Sequence, residues 1–568
     1  MVKKLSYSFL ILTISGLLVW EYKVNLIIWT LPKIMNFVNP IQENIPTNWT
    51  EGPLDISDKN DSRPNIILIL ADDMGYNDIS LHNGGAADGS LQTPHIDSLA
   101  EDGIWFSRGY AANATCAPSR ASIMTGRYPT RFGFEFTPVP DAGRMVLTWL
   151  AEEDDSELKA RIDKELAMNL PSFMDQGMPS EQITIAEVLK GAGYYTAHIG
   201  KWHLGHTGGM DPLSQGFVDS LSLGGAYYLP EDHPEVVNAK FETSIDKMVW
   251  SSGQYSARFN EGDPFAPDKY VTDYYTDEAL KVIEKNKNRP FFLYLSHWAI
   301  HNPLQALRSD VEQMSHMSGH NLQVYAGMIA SLDRSVGKII EKLKDLNIYG
   351  KTMIIFTSDN GGANYIELED INKPFRGWKI SFFEGGIRVP FIVSWPDKIS
   401  PGLTSNSAVH HFDIFPTIVS ATKTTTSNKK ELDGVEKWLN LKISKNYAKE
   451  LCEESRELAR LSFKILENSG KTKFEICKLA LNGHGRNHAL DVLSNINTPE
   501  CLELILNLSH DDKNFFKDNI ERVSFYNAIE KLRIHLKKNQ ENKFKDMLLS
   551  FLKLEMNRNN YEFLGGCF

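Results

Sequence analysis

Cysteine is scarce in this chain of 568 residues, and its five cysteines are unevenly placed. Cys116 stands alone in the first three quarters of the sequence, whereas Cys452, Cys477, Cys501 and Cys567 lie near the end. This distribution excludes a disulfide scaffold for the main body of the protein. The late four can form two bridges in three alternative pairings or stay reduced, so the sequence leaves the redox compartment open.

Long basic runs are also missing. The formal net charge is -12, so a polyanion such as DNA would meet a repulsive average field. This argues against a nucleic-acid partner. Hydrophobic residues make up 42% of the chain and charged residues 23%, which is the composition of a globular protein. A wholly disordered or wholly membrane-embedded chain is therefore excluded.

The N-terminal 38 residues carry an export pattern. Lys3 and Lys4 precede apolar runs at 5–20 and 24–38, and no small-x-small cleavage site follows the first run. The pattern favours an uncleaved signal anchor over a removed signal peptide. The two lysines favour a cytoplasmic N-terminus. We therefore expect the rest of the chain to be exported. It would stay anchored to the membrane and face the periplasm, or the extracellular or lumenal side. If the N-terminal segment is cleaved, the protein would be secreted.

The remaining sequence divides into three regions. Residues 39–63 are rich in Asn, Pro, Asp and Ser without apolar periodicity, which predicts a linker. Residues 64–435 alternate short apolar runs with helical patterns, and residues 436–568 predict a separate helical region of unknown role. The apolar runs lie at 65–70, 291–295, 353–356 and 389–393, and the helical patterns include 183–189 and 325–343. This alternation predicts an α/β fold, with a large mixed, mostly parallel sheet and helices on both faces.

Polar side chains directly follow three of the predicted strands. Asp72 and Asp73 follow the first run, His297 and His301 follow the second, and Asp359-Asn360 follows the third. Ligands of such sheets bind beyond the carboxyl ends of the strands. The sequence therefore predicts a functional site at this edge. A satisfied structural histidine is the preferred interpretation of His297.

A motif around Cys116 gives this site a chemistry. The segment Cys116-Ala-Pro-Ser-Arg120, followed by Thr125-Gly-Arg127, resembles the signature of the formylglycine-dependent sulfatases, which are arylsulfatase-like members of the alkaline phosphatase superfamily. The resemblance covers roughly 64–435. Pro118 suits the first turn of a helix, which would place position 116 where backbone N–H groups favour an anion.

The resemblance implies that Cys116 is oxidised to formylglycine by a formylglycine-generating enzyme. One hydroxyl of the hydrated aldehyde then attacks sulfur, and the other expels sulfate. The resemblance also implies that Asp72, Asp73, Asp359 and Asn360 bind a metal together with an oxygen of the modified Cys116. Because these are hard oxygen donors, they suit one Ca²⁺ per active site better than Mg²⁺ or zinc.

The remaining catalytic roles also come from the resemblance. Lys201 and His203, in Gly200-Lys-Trp-His-Leu-Gly205, match a sulfate-binding cation and the base that breaks the hemiacetal. His301 matches the histidine near the leaving group, although Ile300 stands where the family more often has proline. Lys379 matches the lysine that binds sulfate and assists the departing alkoxide.

Three basic side chains are expected to surround the ester oxygens with positive charge, namely Arg120, Lys201 and Lys379. Arg127 and Arg388 are expected to form structural ion pairs instead.

Three functions follow, in order of preference. The first is hydrolysis of an aryl or carbohydrate sulfate ester. The second is hydrolysis of phosphonate monoesters or phosphodiesters, since some relatives with the same modified cysteine prefer phosphorus esters. The third is a non-catalytic, membrane-anchored binding protein in which Cys116 stays unmodified. After the block Leu432-Asp-Gly-Val435, family members usually continue into a small antiparallel sheet with a final helix. No such pattern follows here, and the predicted helical region stands in its place in the sequence as a partner-binding module, a replacement for that wall of the pocket, or an unrelated fused segment.

Overall fold

A computed structural model describes residues 40–55, 61–82, 89–139, 169–426 and 431–435, with isolated positions at Thr30, Arg144, Thr148 and Glu165. The chain divides into two compact units, Met1–Thr404 with Ala408–Leu441 and Ser405–Ser407 with Lys442–Phe568. The predicted signal anchor, Thr30 apart, and the predicted helical region at 436–568 lie outside the described residues. Within the described ranges, no helix combines the length and apolar character that crossing a membrane requires.

The described residues form the strands β1 (Asn65–Ala71), β2 (Gly103–Tyr110), β3 (Tyr195–Gly200), β4 (Asp219–Leu223), β5 (Val236–Ala239), β6 (Ala257–Phe259), β7 (Phe291–Ser296), β8 (Leu304–Leu307), β9 (Thr352–Ser358), β10 (Phe391–Ser394) and β11 (Leu403–His410). Nine of these strands form one central sheet in the order β11-β2-β10-β9-β1-β7-β3-β4-β6, and β5 pairs with β8 in a separate two-stranded sheet.

The middle of the large sheet is parallel. β9, β1, β7, β3 and β4 pair with one another in parallel, in that order. Every residue of β1, β7 and β9 is buried, as expected for continuous apolar strands covered on both faces. The predicted mixed, mostly parallel α/β sheet is confirmed. The apolar run at 389–393 corresponds to β10. This strand pairs antiparallel with both of its neighbours, β9 and β2.

Helices connect and cover the strands: α1 (Pro94–Glu101), α2 (Cys116–Thr125), α3 (Ile185–Gly191), α4 (Ser244–Ser252), α5 (Val271–Asn286), α6 (Arg308–Gln313), α7 (His320–Asp345), α8 (Glu384–Ile387) and α9 (His411–Ala421). The two predicted helical patterns correspond to α3 and α7. Thr184 caps α3 by accepting from the backbone N–H of Glu187, whose side chain accepts from Thr184 in return. α7 buries one face against α5, β8 and α1.

Part of the predicted linker is packed against the domain. Trp49 is almost fully buried, and its indole N–H donates to Glu278 Oε2 at 2.7 Å. The backbone N–H of Thr50 donates to Asp219 Oδ2 at 2.8 Å, and that of Gly52 donates to the Lys285 carbonyl at 2.9 Å. Trp49 thus contributes to the core, whereas the boundaries of the linker stay a prediction.

Candidate active site

Carboxylates from two neighbouring parallel strands meet beyond the carboxyl end of the sheet. The register of β1 against β9 places the residues that follow the two strands side by side. The backbone N–H of Asp73 donates to Asp359 Oδ1 at 3.1 Å, and Asn360 Nδ2 donates to Asp73 Oδ1 at 2.8 Å. These side chains and that of Asp72 are all buried. The structure therefore brings the four predicted metal-binding residues together.

Cys116 lies at the start of α2 and faces this cluster. Thr115, just before it, has extended backbone angles, so the helix begins at Cys116. Cys116 Sγ lies 3.6 Å from Asp72 Oδ1 and 3.8 Å from Asp73 Oδ1. The thiol is buried. A side chain at this position is placed both beside the oxygen donors and at a helix terminus whose free N–H groups favour an anion.

All five N–H donors of Arg120 are bonded to protein atoms. Nε and Nη2 donate to Asp359 Oδ2 at 2.9 and 2.7 Å, and Nη2 also donates to Asp72 Oδ2 at 3.1 Å. Nη1 donates to the Lys201 carbonyl at 2.8 Å and to the Ser296 hydroxyl. The structure places Arg120 beside the cluster, where its donors hold the Asp72 and Asp359 carboxylates. The expected contact of Arg120 with the ester oxygens stays a prediction.

Two lysines supply further positive charge. Lys201 Nζ lies 2.7 Å from Asp72 Oδ2 and 4.8 Å from the ring centre of Trp298. Lys379 Nζ donates to Asp73 Oδ2 at 2.7 Å. Both lysines are largely buried. Unlike the Arg120 guanidinium, an ammonium on a flexible stem can exchange one anionic partner for another.

His301 is held as a neutral imidazole. Its Nδ1–H donates to the Asn302 carbonyl at 2.5 Å, so Nε2 accepts from Lys379 Nζ at 3.1 Å. Its ring stacks on Trp298 with a centre-to-centre distance of 4.1 Å. Burial, followed by the positive charge of Lys379, lowers the pKa of His301 well below its usual value. His301 therefore offers a lone pair at neutral pH, adjacent to a protonated lysine.

His203 adopts a left-handed backbone conformation, with φ of 64°. Such angles are uncommon outside glycine and cluster at functional positions. Its Nδ1 is buried and has no hydrogen-bond partner among the described residues. Burial, followed by the charges of Lys201 and Arg120, lowers the pKa of His203 well below its usual value. His203 is thus neutral, with an unpartnered ring nitrogen.

Two aromatic residues of the site escaped the sequence-based prediction. Tyr365 OH donates to Asp73 Oδ2 at 3.4 Å, and Trp298 packs against both Lys201 and His301. Trp298 lies in the segment after β7 that the sequence had marked as polar. Tyr365 follows β9 by seven positions in a short turn, where no local pattern marks it.

The residues predicted to be structural do form structural contacts. His297 is buried, and its Nε2 hydrogen-bonds to Ser335 Oγ on α7 at 3.0 Å. Arg127 pairs with Glu431 at 3.3 Å, and Arg388 pairs with Glu384. None of the three lies in the cluster around Cys116.

The donor set fits a hard divalent cation. Asn360 Oδ1 is buried without a hydrogen-bond partner among the described residues, which leaves an oxygen lone pair unmatched. Burial, and after it the Asp359 carboxylate, raise the pKa of Asp72 to about 7, because negative charge is crowded here. Ligand atoms of Asp72, Asp73, Cys116 and His301 lie within 4.8 Å of one another. Carboxylate and amide oxygens are the ligands that Ca²⁺ prefers.

Comparison with known proteins agrees with this geometry. The family model Sulfatase matches residues 64–424. The chain belongs to the sulfatase family. Every predicted site residue, from Asp72 to Lys379, lies inside the matched range.

Several similar members of the sulfatase family have names that refer to a sugar sulfate. The chain is 32% identical over 380 residues to N-acetylgalactosamine-6-sulfatase of Sus scrofa, covering 66% of this chain and 65% of that protein. It is 28% identical to N-acetylgalactosamine-6-O-sulfatase of Bacteroides thetaiotaomicron, covering 68% and 78%. The crystal structure of Ps i-CgsB in complex with k-i-k-neocarrahexaose matches with a TM-score of 0.54 and 31% identity, covering 66% and 76%.

Proposed function

We propose that this protein hydrolyses sulfate esters of carbohydrates, using a formylglycine made from Cys116 and one bound Ca²⁺. The observation that carries the proposal is the position of Cys116, buried at the start of α2 with Sγ 3.6 and 3.8 Å from the Asp72 and Asp73 carboxylates. This is where a nucleophile, a cation and an anionic ester would meet. The names of several similar sulfatases, which refer to N-acetylgalactosamine, support a sugar as the alcohol component.

An unmodified thiol is poorly suited to this position. Burial raises the pKa of the Cys116 thiol to about 12, although Lys201 and Lys379 act in the opposite direction. The thiolate is the nucleophilic form of cysteine, so an unmodified side chain would be almost inert near neutral pH. The hydrate of formylglycine carries two hydroxyl groups. One attacks sulfur and displaces the alcohol, and deprotonation of the other releases sulfate.

Calcium would be held by Asp72, Asp73, Asp359 and Asn360, and would supply electrostatic stabilisation of the sulfate oxygens. Arg120 keeps Asp72 and Asp359 in place, because it bonds to both carboxylates. The protein thereby fixes its oxygen donors in advance, which avoids reorganisation during the reaction.

The lysines and histidines are placed for charge and proton transfer. Lys201 and Lys379 bind the sulfate oxygens in this proposal, and Lys379 donates a proton to the departing alkoxide. His301 accepts a hydrogen bond from Lys379 and orients its ammonium. His203 is neutral and has an unpartnered nitrogen, so it takes the proton whose removal releases sulfate.

Mass analysis of the Cys116 peptide from the native host tests the modification, together with hydrazide labelling of the aldehyde. Parallel assays of 4-nitrophenyl sulfate, N-acetylgalactosamine 6-sulfate and a 4-nitrophenyl phosphodiester test the substrate class. We expect an aldehyde at position 116 and a preference for sulfate esters. Turnover by protein that keeps an ordinary thiol would contradict the mechanism, and a preference for the phosphodiester would contradict the substrate class.

We also propose that the protein is exported and anchored through residues 1–38, and that a formylglycine-generating enzyme of the host modifies it. The motif Cys116-Ala-Pro-Ser-Arg120 supports the second point. Fractionation of native cells with carbonate extraction tests the first. Release of the full-length chain by carbonate would argue against an integral anchor.

A further inference from the structure

The loop that carries Lys379 exposes four large apolar side chains within six residues. The exposed fractions are 45% for Trp378, 50% for Ile380, 69% for Phe382 and 51% for Phe383. The other exposed large apolar side chains of the described ranges are scattered along the chain. Single exposed apolar residues need no explanation, whereas a contiguous patch marks a binding surface.

Hydrogen bonds hold this loop in place. The N–H of Ile380 donates to the Ala114 carbonyl at 2.7 Å, and the N–H of Lys379 donates to the Gly362 carbonyl at 3.0 Å. The N–H of Trp378 donates to Ser381 Oγ at 2.9 Å. Ile380 has a φ of 77°, which is strained for a β-branched residue and persists only where surrounding contacts enforce it. The exposed side chains are therefore presented by a fixed backbone.

The loop borders the entrance of the active site. Ala114, to which Ile380 is bonded, precedes Cys116 by two positions. Lys379 points inward and reaches Asp73, while the residues on either side of it are exposed. Trp378 and Ile380 are the chain neighbours of Lys379, so their Cα atoms lie about 3.8 Å from that of Lys379. An ester whose sulfate contacts Lys379 would bring its alcohol component close to this loop.

We propose that Trp378, Ile380 and Phe382, here called the apolar rim, bind the flat face of a ring in the alcohol component of the ester. This inference rests on the proposed sulfate-ester hydrolysis and names residues that determine its specificity. Aromatic side chains offer large rigid contact surfaces. The Arg376 guanidinium lies 4.4 Å from the centre of the Phe383 ring, so a hydrogen-bond donor borders the same surface. Apolar walls with a few polar groups are typical of small-molecule sites.

Steady-state kinetics of the full-length protein test the rim. Trp378→Ala and Phe382→Ala would be assayed with 4-nitrophenyl sulfate and N-acetylgalactosamine 6-sulfate, with inorganic sulfate as a competitive inhibitor that lacks an alcohol component. We expect KM for the ring esters to rise about 10-fold with kcat little changed, because the contact is the same in ground and transition states. The inhibition constant of inorganic sulfate should stay within about two-fold of the original value.

Two further variants control the experiment. Trp378→Phe keeps an aromatic face and should retain most of the affinity. Leu54→Ala removes an exposed apolar side chain from the segment at 40–55. It should change neither KM for the ring esters nor the inhibition constant of inorganic sulfate. If the rim variants weaken inorganic sulfate equally, they act by displacing Lys379 and the inference is wrong. Unchanged KM values would also overturn it.

Two other outcomes separate a failure of the apolar rim from a failure of the proposed function. If the rim variants lose binding to phosphatidylcholine–phosphatidylglycerol vesicles while KM stays the same, the patch faces a membrane and the inference is overturned. If the unmutated, aldehyde-bearing protein hydrolyses no sulfate ester, the proposed function fails and the inference fails with it. Activity of the unmutated protein with no effect of the rim variants refutes the rim alone.

Discussion

Arg120 and Asp359 form a doubly hydrogen-bonded ion pair in the interior, with Arg120 Nε and Nη2 lying 2.9 and 2.7 Å from the same carboxylate oxygen. Neither side chain is accessible to solvent. A buried pair of this kind stabilises a fold little compared with apolar packing, but removing one partner leaves an uncompensated charge. Arg120 is therefore a structural element of the site whose loss affects stability and activity together.

Replacing Arg120 with glutamine should lower the free energy of unfolding by about 3–5 kcal/mol. Urea unfolding of the calcium-saturated protein measures this change. Arg131→Gln is a matched control, because Arg131 forms a partly exposed pair with Asp433 and should cost less than about 1 kcal/mol. Loss of activity in Arg120→Gln with unchanged stability would indicate instead that the guanidinium contacts the ester.

Replacing Cys116 with alanine should abolish turnover and leave the fold intact. The side chain is small and buried, so the cost in stability should be about 1 kcal/mol, whereas the nucleophile is lost entirely. Initial rates with 4-nitrophenyl sulfate and the thermal midpoint of unfolding measure the two effects. Activity near the original level in this variant would refute the nucleophilic role.

Replacing Asp359 with asparagine should weaken calcium binding at least 10-fold and reduce activity in parallel, since one anionic oxygen donor is lost. Calorimetric titration of the metal-free protein with calcium provides the measurement. Asp310→Asn serves as a comparison, because Asp310 is a buried carboxylate paired with Arg334 away from the site. Asp310→Asn should lower stability without changing calcium affinity. Unaltered calcium binding by Asp359→Asn would exclude that residue from the metal site.

His297 should make the protein less stable in mild acid. Burial lowers its pKa to about 3, whereas an unfolded histidine titrates near 6.5. The unfolded chain thus binds more protons between these values, so stability is complete above pH 6.5 and declines as pH falls toward 3. The contribution of this single group amounts to about 2 kcal/mol at pH 5.

His297→Gln keeps a group that can hydrogen-bond to Ser335 and cannot be protonated in this pH range. Its stability should therefore decrease less than that of the original protein between pH 7 and pH 5, as measured by urea unfolding at each pH. Equal pH dependence of the two proteins would show that His297 does not contribute.

Several features followed from the sequence alone. Continuous apolar runs indicated strands buried on both faces, because few other local structures accommodate unbroken Ile, Leu and Phe. The pairs Asp72-Asp73 and Asp359-Asn360, which follow two of these runs, indicated a site at one edge of the sheet, since parallel strands end on the same side. The segment Cys116-Ala-Pro-Ser-Arg120 indicated the family and the position of the proposed nucleophile. Helix α2 indeed begins at Cys116.

Other features depended on the tertiary structure. The partner of Arg120 lies 239 positions away in the sequence, and no local pattern indicates that all five of its donors are used inside the protein. The direction of β10 depends on its neighbours in the sheet, although its apolar run resembles those of the parallel strands. The local sequence indicates the backbone conformation that each segment prefers and whether the segment is buried. Which charges meet, and which side chains remain at the entrance, is decided only when strands distant in sequence pack together.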